Sequence, residues 1–212
     1  MLGPDDAAIF HVTHIDNLRS IIREGLYADR GIAERGGEPR SVGNREIRDA
    51  RRRREVTVPP GGAVGDYVPF YFAPRSPMLF TLTRGGGPKH GFDGDCSDLV
   101  YLCTRLSVIR GLSLASVFTD RNAAKVTAEQ TDDASRLGTL IDWELMNAAL
   151  WFDTPDEPDR MERRMAECLV HRHVPWSAVT YVGVHDARRM SVVRGMLSTG
   201  HPKVGVQEDW YY

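Results

Sequence analysis

Three short stretches of this 212-residue chain hold side chains whose types and spacing suit ligand binding or catalysis. The first is His11-Val12-Thr13-His14. Side chains alternate along a strand, so His11 and Thr13 point to one face. Two polar groups on one face of a core strand need partners. Either the backbone satisfies a buried histidine, or a ligand with adjacent hydroxyls, such as a ribose, supplies them. The second stretch runs from Tyr67 to Phe80, where Tyr67, Phe70, Tyr71, Phe72 and Phe80 place five aromatics in fourteen residues. Most such rings fill a core. A subset facing a cleft makes a flat slot for a planar ring, here rimmed by Ser76. The third is Ala166-Glu167-Cys168-Leu169-Val170, a single acid opening an apolar run. Facing inward, that carboxylate is costly unless paired or used. Facing outward, it is an ordinary residue at a strand start.

Charge adds a fourth feature. Lys89, Lys125 and Lys203 are the only lysines among 27 basic residues. Arginine keeps its charge and forks onto phosphates, although codon bias in a GC-rich genome gives the same excess. Arg48, Arg51, Arg52, Arg53 and Arg54 fall within seven residues, a local cluster able to hold a polyanion although the net charge is −2. Other chemistries lack their motifs. His171 and His173 have no Cys or Asp at ligand spacing. Gly85-Gly86-Gly87 lacks the Lys-Ser/Thr of a Walker loop, and no Gly-x-Ser-x-Gly occurs. No metal is expected. The three cysteines, Cys96, Cys103 and Cys168, are widely spaced. That argues against a disulfide framework or zinc ribbon and for a reducing cytoplasm. With 42% apolar and 26% charged residues the chain has a globular balance. No apolar run approaches the ~20 residues of a membrane span, so no membrane association is expected. Met1-Leu2-Gly3-Pro4-Asp5-Asp6 lacks the basic region and apolar core of a secretory signal.

The elements that must position these groups follow from local pattern. Residues 8–14 read as a strand. Asp16 or Asn17 caps a helix to about Glu24, with Leu18, Ile21 and Ile22 on one face, and Gly25 stops it. Residues 28–46 read as a polar loop with a short helix, and 45–54 as a charged helix. Pro59-Pro60-Gly61-Gly62 is a break. Tyr67 to Pro74 reads as a proline-bounded strand, and Pro77 opens a helix. Gly85-Gly86-Gly87-Pro88 reads as a surface turn. Leu99 to Leu106 is apolar almost throughout and reads as a central strand. Shorter strands are expected at Val117–Thr119, Cys168–Val170 and Val179–Val184, and helices over Leu137 to Ala149 and Ala187 to Leu197. The sum is one α+β domain.

In chain order, the His-x-Thr pair, the Tyr-Phe-Ala strand and the late glutamate resemble the His–Tyr–Glu layout of ADP-ribosyltransferases related to poly-ADP-ribose polymerases and diphtheria toxin. Longer blocks are more specific. Phe10 to Leu18, Tyr67 to Leu79 with its Pro-Phe-Tyr-Phe-x-x-Arg-Ser-Pro-Met core, Ala166 to Val170, and Tyr211-Tyr212 resemble the DarT family, bacterial toxins that ADP-ribosylate a base in single-stranded DNA. That resemblance implies a split β-sheet with flanking helices and a central NAD cleft, over residues 1–212 as a single domain. It implies that His11 and Thr13 hold a ribose and the carboxamide, with Asn17, Ser20 and Arg48 in the NAD-binding set. Tyr71 and Phe80 would wall the nicotinamide slot. Glu167 would bond the nicotinamide ribose, and Arg51 would be the catalytic arginine, with Arg52 as the one-residue slip. Residues of about 35–54 would form the NAD-binding element, and about 118–166 the substrate-recognition loop. The implied partners are single-stranded DNA, with thymine preferred to guanine, and an antitoxin with ADP-ribosyl-hydrolase activity. The enzyme is expected to be a monomer. RNA or protein as acceptor, or a non-catalytic single-strand-binding module, are the alternatives.

Overall fold

A computed structural model describes residues 3–37, 39–84, 92, 94–198 and 200–212. The glycine turn expected at 85–88 lies outside them. In chain order the elements are β1 (Ala8–His14), α1 (Leu18–Glu24), β2 (Leu26–Tyr27), α2 (Asp29–Glu34), α3 (Arg45–Arg53), β3 (Tyr67–Tyr71), α4 (Pro77–Arg84), β4 (Leu99–Arg105), α5 (Leu106–Gly111), β5 (Ser116–Thr119), β6 (Gln130–Thr131), α6 (Leu137–Leu140), α7 (Trp143–Asn147), α8 (Arg160–Arg163), β7 (Glu167–His171), β8 (His173–Val174), β9 (Tyr181–Val184), α9 (Ala187–Met196) and β10 (Lys203–Val206).

One mixed sheet runs β10-β9-β4-β1-β3-β7-β5-β6, and β2 pairs with β8 apart from it. Along β4, Val100 and Leu102 enter one buried cluster with Ile9, Phe70, Cys168 and Val182, while Leu99, Tyr101 and Cys103 enter another with Phe10 and Tyr211. Both faces of β4 are therefore covered, as its unbroken apolar run requires.

The pairing across the middle of the sheet is uneven. β1 and β4 pair from Ala8↔Arg105 to His14↔Leu99, and β3 and β7 from Tyr67↔His171 to Tyr71↔Glu167. Between them, β1 and β3 meet in register only at Phe10↔Tyr71. The sheet is thus divided into two halves, β10-β9-β4-β1 and β3-β7-β5-β6. Pro69 in β3 fits this division. Proline cannot donate to a ladder and is confined to edges, and β3 is an edge wherever β1 has parted from it.

Several boundaries differ from expectation for local reasons. Asn17 holds the N-cap position of α1, but its side chain makes no capping bond. A 3-10 turn over Ile15–Asn17 precedes the helix, and His14 Nδ1 accepts from the Asp16 amide at 3.1 Å. β3 stops at Tyr71, and the chain turns before α4 with Arg75 at φ 55°. The helix expected over 137–149 is two short helices, because Asp142 caps α7 by accepting from the Leu145 amide at 2.9 Å. β10 was not expected. It runs parallel to β9, and a Cβ on Gly205 would collide with the Tyr181 hydroxyl that lies over it.

Candidate active site

The half-sheet β3-β7-β5 sets Glu167 directly between Tyr71 and Thr119. Glu167 is fully buried and meets Arg51 in a two-pronged ion pair, Nη1 to Oε1 and Nη2 to Oε2, both at 2.8 Å. The Ala123 amide donates to Oε1 at 3.2 Å. A carboxylate has about four acceptor positions. Three are taken here, and the fourth, on Oε2, has no partner among the described residues. Burial alone would lower the Arg51 pKa, but the charge and bonds of Glu167 outweigh it and hold Arg51 above the ordinary value. Arg51 is therefore cationic. Burial and the Glu167 charge, partly offset by Arg51, push the Tyr71 phenol up. It stays protonated and donates to Met78 Sδ at 3.6 Å.

Arg51 reaches the acid because of how α3 is built. Asn44 caps the helix by accepting from the Glu46 amide at 2.7 Å. Gly65 lets the helix lie close, since a Cβ there would sit 3.0 Å from Arg52 Cα. Successive residues then diverge by ~100°. Arg51 turns inward, Arg52 pairs with Asp29, Arg53 is exposed, and Arg54 Nη2 donates to the Val126 carbonyl at 3.0 Å. Arg51, not Arg52, is the inward arginine.

The β1 wall works differently. His11 Nδ1–H donates to the Pro69 carbonyl at 2.8 Å, across the gap between β1 and β3. Burial lowers the His11 pKa against that bond. The imidazole is neutral, and Nε2 is left as an acceptor. Thr13 Oγ1 accepts from Asn17 Nδ2 at 3.1 Å. Asn17 also clamps residue 40 like a strand partner, its Nδ2 donating to the Arg40 carbonyl at 2.9 Å and its Oδ1 accepting from the Arg40 amide at 2.8 Å. Ser20 Oγ donates to the Asn17 carbonyl at 2.8 Å.

His11, Thr13, Asn17, Ser20, Arg48, Arg51 and Tyr71 all line one cleft of about 1240 Å³. Glu167 lies behind the Arg51 guanidinium rather than on the lining. Phe80 is not brought to the cleft. It packs edge-on against Trp151, Phe152 and Tyr212. Residues one helical turn apart share a face, and the α4 face on the cleft carries Pro77, Met78, Thr81 and Leu82. Two residues beyond Met78, Phe80 points the other way. Met78 was therefore missed, and helical spacing from Pro77 was the signal that would have found it. Asn122 was also missed. It follows β5 in a polar loop with no local pattern to mark it. Among the described residues, no three or more His, Cys, Asp or Glu side chains gather as for a metal, and the three cysteines are free. No described helix is long and apolar enough to cross a membrane.

Comparison with known proteins bears on this arrangement. Residues 10–212 match the family model described as "ssDNA thymidine ADP-ribosyltransferase, DarT". A DNA ADP-ribosyl transferase of Thermus sp. (strain 2.9) is 33% identical over 215 residues, covering 99% of this chain and 98% of that protein. The solved structure of Thermus sp. 2.9 DarT with ADP-ribosylated ssDNA has a TM-score of 0.88 at 32% identity, covering 100% of this chain and 99% of that one. The same protein with NAD+ has a TM-score of 0.83, covering 99% and 100%. A DNA ADP-ribosyl transferase-DNA ADP-ribosyl glycohydrolase fusion protein of Thermosipho africanus is 25% identical over 184 residues, or 84% of this chain and 43% of that protein. With a model match over almost its whole length and one-third identity to a relative of the same extent, this chain belongs to the DarT family of single-stranded DNA thymidine ADP-ribosyltransferases.

Proposed function

We propose that the cleft holds NAD against the β1 wall, presents its nicotinamide ribose to Glu167, and delivers ADP-ribose to a thymine of single-stranded DNA. The buried Arg51–Glu167 pair beside Tyr71 is the observation that carries this reading. When the Arg51 side chain, which covers the acid on the cleft side, shifts aside, Glu167 Oε2 accepts a ribose hydroxyl. This carboxylate, fixed and buried at the back of the cleft, then stabilises the positive charge that develops as nicotinamide leaves. The ribose–nicotinamide bond breaks, and a bond from ribose to thymine N3 forms. Arg51 is no base, because it stays charged. Its cation instead draws electron density from the acceptor ring, so that the N3 proton passes to water in the open cleft. Tyr71 and Met78 form the flat wall against the nicotinamide.

On the β1 side, His11 Nε2 accepts from a ribose hydroxyl while Thr13 holds its neighbour or the carboxamide. Asn17 and Ser20 fix the turn behind them. Arg48, which has no carboxylate partner among the described residues, faces the NAD phosphates from the segment of about 35–54. Residues of about 118–166 receive the DNA. The cleft exceeds the ~300–1,000 Å³ of a site for one small ligand, which supports NAD and an acceptor base bound together. A paired base cannot enter, hence the single strand. On this reading the enzyme works as a monomer in the cytoplasm. The Thermosipho fusion joins transferase and glycohydrolase by name. It supports the reading of this chain as a toxin countered by an ADP-ribosyl hydrolase.

Mass spectrometry of defined oligonucleotides incubated with the chain and NAD tests the reading. One ADP-ribose on thymine, with equal nicotinamide release, is expected. Label confined to guanine, RNA or protein would overturn the acceptor, and no nicotinamide release would overturn the enzyme.

A further inference from the structure

A buried carboxamide stands on the side of Glu167 away from β1. Across the sheet, β1 carries His11 and Thr13, β3 carries Tyr71, β7 carries Glu167, and Asn122 follows the end of β5. Asn122 is 8% exposed and lines the cleft beside Met161 and Met165. Its Oδ1 accepts from the Ala124 amide at 2.9 Å, a local turn that asparagine favours. This bond fixes which end of the carboxamide is which, because a flipped group would set its own N–H donors against a backbone N–H. The NH2 end is thereby left to the cleft. Its contact there is the Met165 thioether at 3.9 Å, a weak acceptor for a pair of donors. Buried donors are rarely left so poorly matched. The adjoining residue, Ala123, donates to Glu167 itself, so the turn that carries the carboxamide is tied to the acid by a hydrogen bond.

We infer that Asn122 Nδ2 donates to O4 of the acceptor thymine and so separates thymine from cytosine. The inference rests on the proposed roles of Glu167 and the β1 wall. With NAD held at β1, the acceptor approaches the ribose from the opposite side, where Asn122 stands. Thymine carries an acceptor at position 4, and cytosine carries an amino donor there. An N–H aimed at that position pairs with thymine and meets another donor in cytosine, which discriminates by repulsion as well as attraction. Guanine also shows an acceptor beside its ring N–H, so the discrimination lies between the pyrimidines.

The test compares the unaltered chain with Asn122→Asp and Asn122→Ala. Asn122→Asp keeps the acceptor that Ala124 needs and removes the donor. Substrates are single-stranded oligonucleotides bearing one thymine, 4-thiothymine, 2-thiothymine or cytosine in a fixed context. DNA-free nicotinamide release reports on fold and acid. The ratio of thymine transfer to DNA-free release should fall roughly tenfold in both variants, the scale of one hydrogen bond. Sulfur at position 4 should cost the unaltered chain a similar factor and the variants little, while sulfur at position 2 should cost all three alike. The thymine-to-cytosine ratio should also fall. An unchanged transfer-to-release ratio would overturn the inference, as would losses from the variant and from 4-thiothymine that simply multiply. Failure of the unaltered chain to modify thymine would instead overturn the reading on which it rests.

Discussion

The two sides of the cleft are built from different materials. On the β1 side, His11, Thr13 and Asn17 are neutral groups held by short hydrogen bonds to one another and to backbone. Opposite them, Arg51 and Glu167 are full charges, paired out of water across 116 positions of chain. A neutral wall fits a substrate by shape and hydrogen bonding, and its contacts are similar before and after bond breaking. A buried charge acts where charge develops, so its worth appears in the transition state. Binding and chemistry should therefore separate by wall.

The sharpest way to break that division is Glu167→Gln. The amide keeps the shape and an acceptor for Ala123 but loses the charge. Transfer at saturating NAD should fall by ~10²–10⁴-fold with NAD affinity nearly retained, read by single-turnover kinetics and calorimetry. Near-full transfer would remove chemistry from this side.

Arg51→Ala should cost transfer on a similar scale and also cost about 3–5 kcal/mol of stability, because Glu167 is left buried and unpaired. Adding Glu167→Gln to it should return most of the stability and none of the transfer, as urea unfolding and activity would show. Arg52→Ala should produce neither loss, since Arg52 lies outside on Asp29. Equal effects at positions 51 and 52 would contradict the inward placement.

His11→Ala should raise the KM for NAD by roughly tenfold, a hydrogen-bond-sized loss, and leave kcat much less affected. Because burial depresses the His11 pKa below 6.5, the unfolded chain takes up this proton first as pH falls. Stability from His11 is complete above 6.5 and declines below it. Protonation would also consume the Nε2 acceptor, so NAD affinity should fall in acid. His14 and His171 shift in the same direction, so the pH profile of His11→Ala minus that of the unaltered chain isolates one group. A difference profile flat from pH 7 downward would refute the neutral-acceptor assignment.

Arg53→Ala belongs to neither wall. Exposed at the end of α3, it should weaken DNA binding modestly and reduce the slope of log affinity against log salt by about one. An unchanged slope would take Arg53 off the DNA.

The same contrast governs what could be read before the structure. His11 and Thr13 were legible because alternation along a strand is a local rule, and β1 obeys it. Helical rotation within 51–54 showed that the arginines must diverge, and the family register named the inward one. Phe80, which the family resemblance places beside Tyr71 in the nicotinamide wall, lies off the cleft lining because α4 points that position toward Trp151. Asn17 stands at the N-cap of α1 as its type suggests, but its side chain clamps residue 40, a contact made across 23 positions that local pattern does not show. The short strands β2, β6 and β8 and the parallel β10 exist through their partners and have little pattern of their own. Asn122 illustrates the limit most clearly. Its significance comes from the Ala124 amide, Met165 and the neighbouring acid, and no window of sequence contains all three.

The lone register pair Phe10↔Tyr71 has a mechanical consequence. Two stiff half-sheets that meet at one point concentrate their compliance there, as two boards do at a pin. Any widening of the cleft between the half-sheets would turn about that pin. Tyr71 lies on it and Glu167 directly beside it, where displacement is least. Thr13, about 10 Å farther along β1 at the rise of a strand, would travel farther than His11. His11, one residue from the pin, acts as the catch through its bond to Pro69. In such an opening the mouth of the cleft would change width while Tyr71 and Glu167, paired across β3 and β7, keep their register.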